Sequence, residues 1–63
     1  MKAYILIAPR YMDGIPEGYI LQVVSNNTAG PQASDIRQAL VRAGFSGMAL
    51  SWAAPGNWKI ERR

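Results

Sequence analysis

Residues 34–45, SDIRQALVRAGF, constrain the fold most strongly, because this segment carries the start, the apolar stripe and the end of a helix. Ser34 is a favourable N-cap residue, and Asp35 places negative charge in the first turn, where it suits the helix dipole. Gly44 and Phe45 match the left-handed residue and the hydrophobic residue that close a Schellman motif. The apolar stripe consists of Ile36, Ala39, Leu40 and Ala43. The sequence therefore predicts one amphipathic helix with a single apolar face to bury.

Two segments that precede this helix have the composition of β-strands. Residues 2–8, KAYILIA, and residues 19–25, YILQVVS, are rich in β-branched, aromatic and aliphatic side chains. Alternation gives each strand two apolar faces, which is typical of strands covered on both sides. In a suitable register one shared face holds Tyr4, Leu6, Tyr19, Leu21 and Val23, and the other holds Ile5, Ile7, Ile20 and Val24.

The connection between these strands, residues 9–18, is longer than a tight hairpin requires. Asp13-Gly14 and Pro16-Glu17-Gly18 are turn signals within it. Connections of this length often carry function. The alternative is that Met12 and Ile15 fold beneath the loop and extend the core.

The segment of residues 45–61 that follows the helix has two interpretations. In the first it is a hairpin, in which residues 46–53 form one strand, residues 54–57 form a type II turn, and residues 57–61 return as a second strand. In the second interpretation residues 46–53 are irregular or a short helical turn, and only residues 57–61 form a strand. The sequence does not decide between them.

These elements define the expected fold class. The chain has 63 residues, enough for a single domain spanning residues 1–63, with one small core. The order is β-β-α-β, extended to β-β-α-β-β if residues 46–53 form a strand. We therefore expect an α+β fold, in which a small single-layer antiparallel or mixed sheet packs one helix on one face.

The amino-acid composition limits the catalytic and metal-binding chemistry that the chain can perform. The chain contains no cysteine and no histidine, which excludes disulfides, thiol chemistry, Cys/His zinc sites and imidazole catalysis. Among its four acidic residues only Asp13 and Glu17 share a loop, where turn formation explains both of them. No phosphate-binding glycine motif and no activated serine is present. We therefore expect no enzyme activity, no cofactor and no metal.

The N-terminal apolar segment does not indicate a membrane protein. Residues 2–8 are too short to span a bilayer, which needs about 20 apolar residues, and no signal-peptide cleavage site follows them. We expect a cytoplasmic protein without membrane association. The net charge of +3 permits contact with an anionic partner without requiring it.

The excess of apolar strand surface predicts a protein-interaction module. One helix covers one face of a small sheet, so a second apolar face needs another cover. If the helix covers the isoleucine-rich face, the remaining face is the candidate protein-interaction face, and its residues are Tyr4, Leu6, Tyr19, Leu21 and Val23. A homodimer through this face or through a sheet edge would supply the cover. A C-terminal hairpin bent over the same face is the alternative.

The C-terminal segment suggests a second function, weak nucleic-acid binding. Proteins that bind single strands combine stacking aromatic side chains with basic ones, and the candidates here are Trp52, Trp58, Lys59, Arg62 and Arg63. In a strand, however, Lys59 points away from its neighbour Trp58. Paired tryptophans also stabilise sheets. Whether the two tryptophans are buried therefore separates the two hypotheses.

Overall fold

A computed structural model describes residues 2–62, without the side chain of residue 62. Residues 2–62 form three strands, one α-helix and two 3₁₀ helices. They are β1 (Lys2–Ile7), β2 (Ile20–Ser25), α1 (Ala33–Arg42), the first 3₁₀ helix (Gly47–Trp52), the second 3₁₀ helix (Pro55–Asn57) and β3 (Lys59–Arg62).

The three strands form one antiparallel sheet in the order β2-β1-β3, so the first strand lies at the centre. Leu6 of β1 lies opposite Leu21 of β2 on one side and opposite Ile60 of β3 on the other. With α1 packed against this sheet, the expected α+β class is confirmed. Of the two sheet types allowed by the sequence, the antiparallel one is formed.

The segment after α1 follows the second of the two interpretations. Residues 47–52 form a 3₁₀ helix, so the hairpin interpretation of residues 46–53 is wrong. The helical turn brings Ala49 and Ala53 to the same side, where both small side chains are buried in the core. A strand would have placed Leu50 and Trp52 on the face opposite to Ala49 and Ala53, yet these side chains also pack against the core.

α1 begins two residues earlier than Ser34 predicts. Gln32 is the N-cap residue, and its backbone N–H donates to Oδ2 of Asp35 at 3.0 Å. The Ser25 hydroxyl at the end of β2 donates to the same oxygen at 2.6 Å. These two donors, the Ser25 hydroxyl first, hold the pKa of the Asp35 carboxyl below its ordinary value of 3.8, and the opposing effect of burial is smaller. Asp35 therefore links the helix start to the sheet in its ionised form.

The end of α1 is the Schellman motif that the sequence predicts. The Phe45 N–H donates to the Leu40 carbonyl, and the Gly44 N–H donates to the Val41 carbonyl, both at 3.0 Å. Gly44 has a φ of +97°, which residues with a Cβ rarely adopt. The helix end was thus predictable from local sequence alone.

The loop between β1 and β2 extends the core. Met12 and Ile15 form an isolated antiparallel bridge, and both side chains are buried. Asp13 and Gly14 connect them with φ values of +45° and +103°, the positive φ values that a two-residue type I′ turn needs. The interpretation in which these two side chains fold under the loop is confirmed.

Candidate interaction surface

The core lies on one face of the sheet only. Ile36 and Leu40 of α1 pack there, together with buried side chains from the loop, the first 3₁₀ helix and Trp58. We call the opposite face the open face, because no element formed by residues 2–62 contributes a core residue on that side. By strand alternation it consists of Ala3, Ile5 and Ile7 of β1, Ile20, Gln22 and Val24 of β2, and Lys59 and Glu61 of β3.

The open face is apolar at one side and charged at the other. Ile20, Ile7 and Lys59 form one row across the three strands. Gln22, Ile5 and Glu61 form the neighbouring row. The exposed fraction is 63% for Ile20 and 46% for Val24, both on the edge strand β2. An apolar strip on β1 and β2 therefore borders a pair of opposite charges on β3.

The predicted interaction face is the face that α1 covers. Four of its five side chains, Tyr4, Leu6, Leu21 and Val23, are almost fully buried in the core. The fifth, Tyr19, is half-buried and packs edge-to-face on Phe45 with ring centroids 5.2 Å apart. The expectation that α1 covers the isoleucine-rich face was wrong, and these five residues are not an accessible surface.

Polar anchoring explains this choice of face. Ser25, on the same face as Tyr4, reaches Asp35 at the start of α1. The Tyr4 hydroxyl donates to the Asn27 carbonyl at 2.9 Å, so the one polar atom of this large side chain is satisfied inside the fold. The isoleucine-rich face carries Gln22, Lys59 and Glu61, but the contacts to Asp35 and Asn27 are made by Ser25 and Tyr4 on the other face. This serine-aspartate contact is the signal that alternation alone could not supply.

The two tryptophans are not a paired aromatic platform. Trp58 is 6% exposed, and its indole N–H donates to the Trp52 carbonyl at 2.6 Å. Trp52 is half-buried, and its indole N–H donates to Oδ2 of Asp13 at 2.8 Å. The prediction of Trp58 as a nucleic-acid contact is therefore wrong, because its ring belongs to the core.

The basic residues of the C-terminal segment are separated from the tryptophans. Lys59 is exposed on the open face, opposite in direction to Trp58, as alternation predicts. The side chain of Arg62 and the whole of Arg63 lie outside the described residues. The structure thus brings none of the described members of this predicted set together on one surface.

The two acidic residues of the loop before β2 lie at the surface. Asp13 and Glu17 are both exposed, and neither lines the two shallow depressions that border α1. Residues 2–62 contain no cluster of three or more side chains able to hold a metal ion. No helix in the same range has the length and apolar character needed to cross a bilayer.

Comparison of the chain with protein-family models, with curated proteins and with solved structures gave no match in any of the three. The role of the open face is therefore inferred from its own residues.

Proposed function

We propose that the chain is a small non-catalytic protein-interaction module that binds a partner protein through the open face. The observation that carries this proposal is the exposure of Ile20 and Val24 beside Ile5 and Ile7 on a sheet whose other face is already covered. Contiguous exposed apolar side chains are costly in water and mark association surfaces. The proposal places the module in the cytoplasm and gives it no cofactor and no metal.

The arrangement of the open face suits protein recognition. Typical interfaces have an apolar centre and a polar rim that fixes orientation. Here the isoleucine side chains of β1 and β2 would supply the centre, while Lys59, Glu61 and Gln22 would supply the rim. A homodimer is one form that this association would take.

Weak nucleic-acid binding has less support. Of the predicted contacts in the described part of the chain, only Lys59 is exposed. The indole N–H of Trp52 is held by the Asp13 carboxylate, whose negative charge would repel a phosphate nearby. Stacking on Trp58 would require the core to open.

In-cell photo-crosslinking tests the proposal. A photoreactive phenylalanine analogue at position 20, on the open face, should give a discrete protein adduct. The same analogue at position 37, an exposed position of α1 outside the depression that α1 forms with β2, should give none. The partner in the adduct is identified by mass spectrometry and its binding is reproduced with the two purified proteins.

A second substitution controls for specificity. Val24→Lys on the open face should abolish the adduct formed at position 20, because a charge replaces part of the apolar centre. Equal adducts from positions 20 and 37, or no adduct from either, would contradict the proposal.

A further inference from the structure

The outer edge of β3 exposes backbone groups in a defined pattern. The Ala8 N–H donates to the Tyr19 carbonyl at 3.0 Å, in the register that pairs β1 with β2. In an antiparallel ladder the residues that bond to one neighbour alternate with those that bond to the other. Even-numbered residues of β1 therefore bond to β2, and odd-numbered ones bond to β3.

This alternation determines whether the backbone N–H and carbonyl of each β3 residue point toward β1 or away from the sheet. Lys59 lies opposite Ile7 and Glu61 lies opposite Ile5, so these two β3 residues bond to β1. Ile60, between them, turns its N–H and its carbonyl away from the sheet. Neither group takes part in the backbone hydrogen bonds that residues 2–62 form outside the sheet and the helices, and the Ile60 side chain is 37% exposed.

We propose that β3 pairs with β3 of a second copy of this chain, antiparallel and about a two-fold axis that passes through Ile60. This contact uses the edge of β3 and not the open face, so the inference goes beyond the proposed function. About this axis Ile60 and the partner's Ile60 exchange both N–H···O=C bonds, which satisfies the outward groups of each. The two sheets then continue as one sheet.

Charge selects this register over its neighbours. The axis through Ile60 places Lys59 opposite the partner's Glu61, and by symmetry Glu61 opposite the partner's Lys59. An axis through residue 59 or 61 also brings outward backbone N–H and carbonyl groups of the two strands face to face. With the axis at residue 59, Lys59 lies opposite the partner's Lys59. With the axis at residue 61, Glu61 lies opposite the partner's Glu61. Opposite charges across a pair of strands stabilise the pairing and like charges destabilise it.

The same register extends the open face across the dimer. The row of Ile20, Ile7 and Lys59 continues into the partner's Glu61, the partner's Ile5 and the partner's Gln22. The edge itself is short, since β3 has four residues. The contact area is therefore below that of a standard stable interface, and we expect a weak dimer with a dissociation constant of roughly 10 to 100 μM.

Charge reversal tests the inference. Lys59→Glu and Glu61→Lys each place like charges opposite each other twice per dimer, so each should weaken dimerisation by about tenfold in sedimentation velocity. An equimolar mixture of the two variants should restore association, because every pair across the edge is again of opposite charge. The double variant K59E/E61K should dimerise like the unmodified chain for the same reason.

Two further variants distinguish pairing at the edge of β3 from a general effect of net charge on association. Ile60→Pro removes the outward N–H while leaving the bonds of Lys59 and Glu61 to β1, so it should give a folded monomer. Lys2→Glu changes the net charge by the same amount as Lys59→Glu, but its position lies in β1, and it should dimerise normally.

A chain that stays monomeric up to about 1 mM, well above the expected dissociation constant, overturns the inference. So does a dimer that neither charge reversal weakens, or a mixture of the two variants that does not associate. Photo-crosslinking at position 20 probes the open face and not the edge of β3. Its adduct can therefore persist when edge pairing fails, so each proposal can be contradicted without the other.

Discussion

Replacing Leu21 by lysine should unfold the domain, whereas the same replacement at its neighbour Ile20 should leave the domain folded. Leu21 is 4% exposed on the face that α1 covers, and Ile20 is 63% exposed on the open face. Leu21→Lys removes buried apolar contacts and places a charge in the core, which costs at least about 4 kcal/mol. A domain of this size has a total stability of only about 3 to 9 kcal/mol.

Far-UV circular dichroism and urea denaturation of the two variants measure this difference. Ile20→Lys should lose no more than about 1 kcal/mol, because only β-propensity and partial contacts are affected. The two substitutions are chemically similar and lie one residue apart, so a difference between them reports the face assignment. A stable Leu21→Lys variant beside an unfolded Ile20→Lys variant would reverse that assignment.

Trp58→Ala should be the second strongly destabilising change, with a loss of about 3 to 5 kcal/mol in the free energy of unfolding. Its indole is buried against the core, and its N–H is bonded to the Trp52 carbonyl. The substitution leaves a large cavity and also leaves that carbonyl without its donor. Urea denaturation followed by circular dichroism measures the loss.

Trp52→Phe is the matched control. It keeps an aromatic ring at the half-buried position and removes the exposed bond to Asp13, so it should cost about 1 kcal/mol or less. A loss below about 1 kcal/mol for Trp58→Ala would contradict the buried position of Trp58. It would also return that ring to the candidates for stacking on nucleic-acid bases.

The helix and its end were predictable because their signals are local. The apolar stripe, Gly44 and Phe45 lie within one segment, and the bonds that close the helix join residues of that segment. The start was less predictable, because Asp35 accepts from Gln32 on one side and from Ser25 of a distant strand on the other. Ser34 has the residue type of an N-cap but lies inside the helix.

The choice of covered face could not be predicted from periodicity. Both faces of β1 and β2 are apolar, so alternation identifies the faces without ranking them. Contacts between residues distant in sequence decide which face is covered, such as the hydrogen bond from the Tyr4 hydroxyl to the Asn27 carbonyl. As a result, the sequence identified excess apolar surface correctly but assigned it to the wrong face.

The C-terminal segment shows a related ambiguity. Met48, Leu50 and Trp52 alternate like a strand, yet they lie in a 3₁₀ helix. Short segments of this kind fit both periods, and tertiary packing decides between them. Here Ala49 and Ala53 are buried while Leu50 and Trp52 pack against the same core, an arrangement that strand alternation would prevent. The strand that follows, β3, was predictable, and it carries the charges of the proposed dimer edge.

Solvent paramagnetic relaxation of methyl groups tests the central claim, that the isoleucine-rich face is open and the opposite face is covered. With a soluble gadolinium chelate and dilute protein, the methyl signals of Ile20 and Val24 should broaden strongly, while those of Leu6, Leu21 and Val23 should stay sharp. Strong broadening of Leu6, Leu21 and Val23 with protection of Ile20 and Val24 would contradict the claim.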